Sequence, residues 1–123
     1  MKTRKIQRRE GELKYISTRG GGTPQTFEQV LLTGLAPDGG LYVPAELPHF
    51  YQEEIASWKS LSYPELALKI ISEFIGDEIP AQALRKIVID SYAQFDHPEV
   101  APLTELAEND FMLELYHGPT LAF

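Results

Sequence analysis

The 123 residues carry 11 Lys and Arg against 18 Asp and Glu, a net charge of −7, with 43% hydrophobic residues and no cysteine. A chain of this length suits one ordinary domain that buries roughly two-thirds of its unfolded surface. The missing thiols exclude disulfides and cysteine metal sites, and no apolar run approaches the roughly 18 residues of a membrane span. Lys2, Arg4, Lys5, Arg8 and Arg9 make the start basic and leave the remainder strongly acidic. The arm 1–13 has no apolar run behind it, so it is no secretory signal. Without interleaved aromatics or a groove-reading motif it reads as a flexible, solvated tail and not as a nucleic-acid contact. A cytoplasmic protein with no membrane and no nucleic-acid partner is expected.

Lys14 to Thr18 has the β-branched and aromatic content of a short strand, which Gly20, Gly21, Gly22 and Pro24 interrupt. Thr26 and Gln29 form a capping-box pattern, and Phe27, Val30 and Leu31 share a face, so a helix follows and Gly34 ends it. Asp38-Gly39-Gly40 supplies a tight turn before the strand Leu41 to Val43, which Pro44 stops. One short helix is expected within Phe50 to Lys59. Ser62 and Glu65 repeat the capping pattern, and Leu66, Ala67, Ile70, Ile71, Phe74 and Ile75 keep a helical period as far as Gly76. From Pro80 a further helix carries Leu84, Ile87, Val88, Tyr92 and Phe95 inward, and Asp96-His97-Pro98 closes it. Leu103 to Ala107 is expected to turn, and Phe111 to Tyr116 to form a strand leading outward. The predicted class is α+β: a single domain with a small β-sheet packed with about three main α-helices.

Several positions carry chemistry. His49, His97 and His117 are far apart in sequence without metal-ligand spacing, so no metal site is expected. His117 differs because Gly118 permits close backbone approach and Pro119 fixes a turn; a pocket-lining histidine and a strand-end turn cap are both open on that pattern. Ser17, Thr18 and Arg19 offer two hydroxyls and a planar guanidinium fork, suited either to an anionic substrate or to satisfying local backbone. Glu53-Glu54 and Asp77-Glu78 read as solvated, since adjacent residues point different ways. Tyr15, Tyr42 and Tyr116 read as strand tyrosines with hydrogen-bonded hydroxyls.

Four stretches in order, Tyr15 to Gly20, Gly34 to Pro44, Ile75 to Pro80 and Leu113 to Phe123, make the chain resemble the N-terminal domain of threonine synthases. In that family His-Gly-Pro-Thr, a variable residue and Ala-Phe lead straight into the lysine that carries pyridoxal phosphate, which here would follow Phe123. The resemblance implies a parent enzyme converting O-phospho-L-homoserine and water to L-threonine and phosphate, with pyridoxal phosphate as the electron sink. It implies that His117, Gly118, Pro119, Thr120, Ala122 and Phe123 shape the cofactor pocket, and that Ser17, Thr18 and Arg19 contact substrate.

The implied organisation is the basic arm 1–13, the N-terminal domain 14–112, and a strand and loop, 113–123, running into the remaining domains of the same chain. The 123 residues alone are expected to lack the catalytic lysine, to bind no cofactor, to be inactive and to self-associate through uncovered apolar residues. A stand-alone, non-catalytic docking module is the alternative.

Overall fold

The computed structural model describes residues 13–120. The basic arm, apart from Leu13, and the expected pocket residues Ala122 and Phe123 lie outside the described residues. The α+β class holds: among the described residues, four α-helices accompany two antiparallel two-stranded sheets. Two compact units can be distinguished, one made of residues 13–49 and 73–79, the other of residues 50–72 and 80–120.

In the first unit, β1 (Tyr15–Ser17) pairs antiparallel with β2 (Tyr42–Pro44), Ile16 lying opposite Val43. The alternation that makes a strand also turns Tyr15 and Ser17 inward, at 7% and 4% exposure, and leaves Ile16 outside. The Tyr15 hydroxyl donates to the Phe74 carbonyl at 2.6 Å, which satisfies the polar end of a buried ring. Helix α1 (Phe27–Thr33) begins with the expected capping box, Thr26 accepting from the Gln29 N–H while the Gln29 side chain accepts from that of Thr26. Gly34, at φ 76°, ends it in a backbone conformation that disfavours side chains.

Glu78 corrects the sequence reading. Its two carboxylate oxygens accept the backbone N–H groups of Phe27 and Glu28, at 2.8 and 2.9 Å, so it caps α1 instead of pointing into solvent. The first N–H groups of any helix have no partner within it, and a carboxylate placed there also meets the positive end of the helix dipole. The contact spans about fifty positions of sequence, which no local pattern reveals.

In the second unit, α2 (Gln52–Ser57) runs into a single 3₁₀ turn, Trp58–Ser60, and the Trp58 ring meets Phe50 edge-on at 5.3 Å. Helix α3 (Tyr63–Ile75) starts where Glu65 accepts from both the backbone and the hydroxyl of Ser62. Its last turn belongs to the first unit, where Ile75 is buried. Helix α4 (Ala81–Tyr92) buries Leu84 and Val88, each worth on the order of 2 kcal/mol of apolar transfer. Ile87, expected on that face, is 53% exposed, so the stripe is narrower than its apolar residues suggest. Tyr63 and Tyr92 pack edge to face at 5.0 Å.

The segment after α4 departs further from expectation. Leu103 to Ala107 is no turn; it is β3, and β4 (Asp110–Leu113) folds back on it antiparallel. Asn109, at φ 61°, makes the reversal, a conformation asparagine accepts more readily than most residues. The strand expected to lead outward therefore pairs locally, stops at Leu113, and leaves residues 114–116 irregular. No helix among the described residues is long and apolar enough to cross a membrane.

Candidate functional site

His117 is the hub of the second unit's polar cluster. Its Nδ1 lies 2.8 Å from Asp96 Oδ1 and its Nε2 2.7 Å from Glu114 Oε2, and only 14% of the side chain is exposed. The main chain joins the same partner, because the Asp96 N–H donates to the His117 carbonyl at 3.0 Å. Glu114 is itself fixed: Thr104 of β3 donates its hydroxyl to Oε1 at 2.8 Å, and the Glu114 N–H reaches the Pro102 carbonyl. The His97 ring stacks at 4.9 Å from His117, and Tyr116 at 4.6 Å.

Two carboxylates on one imidazole favour its charged form. The Glu114 hydrogen bond, against the opposing effect of burial and with Asp96 adding to it, raises His117 above its ordinary value of 6.5. Reciprocally, the bond from His117, then that from Thr104, lowers the Glu114 carboxyl. With each ring nitrogen against a carboxylate, neither is left open to a further ligand. Behind this bridge Gly118 is buried, whereas Pro119 and Thr120 form an exposed turn. Pro119 and Thr120 are thus the exposed part of this turn, and His117 and Gly118 its covered part.

Sequence reasoning missed Asp96 and Glu114. Glu114 stands three positions before His117, a usable signal had the segment not been read as strand; Asp96 arrives only through the fold. Among the described residues no group of three or more His, Asp or Glu gathers in an arrangement that could hold a metal ion.

Ser17, Thr18 and Arg19 lie in the first unit, around Asp38. The Asp38 carboxylate receives the Ser17 hydroxyl at 2.7 Å and the N–H groups of Gly21 and Gly40 at 2.9 Å. The Gly40 bond first, then Ser17, lowers its carboxyl below the ordinary value. Thr18 accepts the Leu41 N–H at 3.0 Å, and Arg19 Nη1 donates to the Asp38 carbonyl at 3.0 Å. The two hydroxyls thus serve the loop itself, and Arg19 alone of the three combines exposure with a cationic group.

The α+β framework is that of an N-terminal domain of a biosynthetic enzyme family: residues 14–92 match the family described as threonine synthase N terminus. The chain belongs to the threonine synthase family. Over 111 residues it is 52% identical to the threonine synthase of Pseudomonas aeruginosa, covering 90% of this chain and 24% of that protein. The threonine synthase of Schizosaccharomyces pombe is 46% identical, with coverage of 91% and 22%. The crystal structure of PLP-bound threonine synthase from Brucella melitensis superposes with a TM-score of 0.85 at 48% identity, covering 90% of this chain and 24% of that one. The chain therefore spans about a quarter of the length of the relatives it matches.

Proposed function

We propose that these residues form the N-terminal part of a cytoplasmic, pyridoxal-phosphate-dependent threonine synthase that converts O-phospho-L-homoserine and water to L-threonine and phosphate. The observation that carries this reading is the 52% identity to a threonine synthase across nine-tenths of the chain. The cofactor, when bound, delocalises the carbanions that let phosphate leave and water add at neighbouring carbons. The residues of this chain do something else: they build and orient a wall. Pro119 and Thr120, with Ala122 and Phe123 beyond them, line the approach to the lysine that the family resemblance puts after Phe123. His117 and Gly118 hold that wall in place. In the first unit Arg19 is the group suited to the substrate phosphate, because a guanidinium meets a phosphate with paired, charge-assisted donors; Ser17 and Thr18 shape the loop that carries it. Activity then belongs to the whole polypeptide, with the remaining domains of the same chain as the partners of these residues.

The test is the full-length polypeptide incubated with O-phospho-L-homoserine, with and without added pyridoxal phosphate, and assayed for L-threonine and phosphate in equal amounts. Cofactor-dependent formation of both products is expected. Phosphate release without threonine, or no reaction by a folded, cofactor-loaded protein, would refute the assigned reaction.

A further inference from the structure

The cluster around His117 does more than fill space, because it ties three separate pieces of the second unit to one ring. Asp96 comes from the loop after α4, Glu114 from the end of the β3–β4 hairpin, and His117 from the turn that follows. We propose that Asp96, His117 and Glu114 form a positioning bridge that fixes the orientation of the Gly118-Pro119-Thr120 turn, and so sets how this part of the motif meets the cofactor. The inference rests on the functional reading above and deepens it by assigning the residues that orient the motif.

Three independent observations support it. First, residue 117 is held at two points, since the Asp96 N–H takes its carbonyl while the Asp96 carboxylate takes its ring. A residue fixed by backbone and side chain to one neighbour cannot rotate about either. Second, the second carboxylate is braced from outside the segment, by the Thr104 hydroxyl and by the Pro102 carbonyl that receives its N–H. Third, the loop that delivers Asp96 is strained: Val100 is buried at 4% exposure with φ 64°, and its N–H closes a turn on the His97 carbonyl. A β-branched residue is disfavoured in the left-handed region, and such strain persists only where surrounding contacts over-determine the conformation. A loop needed only to connect α4 to β3 has no use for it.

The bridge depends on charge. The titratable groups facing the His117 ring are Asp96 and His97 from the loop, and Glu114 and Tyr116 from its own segment. With the imidazole protonated, both carboxylates are compensated; once it loses its proton, only one nitrogen can donate and one carboxylate is released.

The experiment uses the full-length polypeptide and its Glu114→Gln variant, titrated with pyridoxal phosphate between pH 6 and 9 and read by cofactor absorbance, with melting of the cofactor-free forms recorded alongside. In the parent protein, cofactor affinity should fall as pH rises through the His117 transition. In Glu114→Gln the dissociation constant should rise on the order of tenfold, the scale expected of a misplaced reacting group, and the fall should move to lower pH. His117→Gln should remove that step. Should Glu114→Gln fail to fold, Asp96→Asn, which keeps the Glu114 contact, reads the same displacement. Unchanged affinity and an unmoved step in a folded variant, even with a lowered melting temperature, would overturn the bridge and leave the threonine synthase reading intact. A parent polypeptide that binds no pyridoxal phosphate would overturn both.

Discussion

The Ser17 hydroxyl lies 2.7 and 2.9 Å from the two oxygens of the Asp38 carboxylate, and this contact closes the loop that joins the ends of β1 and β2. The glycines around it are there for space as well as for dihedral freedom. A Cβ on Gly40 would stand 2.2 Å from Ser17 Oγ, and one on Gly39, already at φ 80°, would stand 2.8 Å from Arg19 Nη1.

Replacing either Gly39 or Gly40 with Ala is therefore expected to destabilise the fold by about 1 kcal/mol or more. Ser17→Ala alone should cost about 1 kcal/mol, the usual loss of a buried hydrogen bond. The double variant Ser17→Ala with Gly40→Ala should lose less than the two singles together, because the first change removes the atom the new methyl meets. Denaturant midpoints for the three proteins decide it; strict additivity would show that the clash is relieved elsewhere.

A second prediction concerns acid. Glu78 is raised by burial, but the N–H groups of Glu28 and Phe27 outweigh that and leave its carboxyl below the ordinary 4.5. A depressed carboxylate contributes stability above its unfolded value and loses it as pH falls through the folded one. Asp38, lowered chiefly by Gly40 and Ser17, behaves in the same way. Stability should consequently drop below pH 4.5. Glu78→Ala, which costs about 1 kcal/mol at neutral pH as the loss of a helix cap, should show a shallower acid slope than the parent. An identical slope in the two proteins would mean that the α1 cap plays no part in acid unfolding.

How far the sequence discloses all this depends on the range of the interaction. The Thr26–Gln29 box, the stops at Gly34 and Gly76, and the turn at Gly39 are local, and each appears in the structure where the residues indicate. Glu78 on α1 and Asp96 on His117 are not local, so adjacency to Asp77 or to His97 says nothing about either. The β3–β4 hairpin is half legible: Phe111 to Tyr116 reads as a strand and overlaps β4, whereas Leu103 to Ala107 reads as a turn because β3, exposed along its whole length, lacks the pattern of a half-buried strand. The His-Gly-Pro-Thr motif was legible as a resemblance, while the bridge that holds it was not.

The His117 bridge should also appear in stability, with the opposite sign at each end of the pH scale. His117 is raised, mainly by Glu114, so its contribution is complete below the unfolded value of 6.5 and is lost as pH rises through the folded value. Glu114 is lowered, mainly by His117, so its contribution is present above 4.5 and is lost as pH falls through the folded value. His117→Gln should thus flatten the decline of melting temperature on the alkaline side and leave the acid limb governed by Glu78 and Asp38. A parent protein whose melting temperature does not fall between pH 6.5 and 9 would show that the imidazole is not held charged.

The last prediction follows from the hairpin. Leu103, Leu106, Phe111 and Leu113 are 61, 60, 50 and 52% exposed, so two paired strands present large apolar side chains without a covering layer. Isolated two-stranded sheets are marginal in water, and contiguous uncovered apolar surface is where soluble chains associate. The 123-residue protein is accordingly expected to bind a hydrophobic dye and to sediment with a weight that grows with concentration. Leu106→Lys and Phe111→Lys, which place charge on the hairpin without touching Thr104 or Glu114, should reduce both signals together. If dye binding falls while the sedimenting weight is unchanged, association runs through another surface. A monomer at every concentration, with no dye bound, would mean that these side chains are covered in solution.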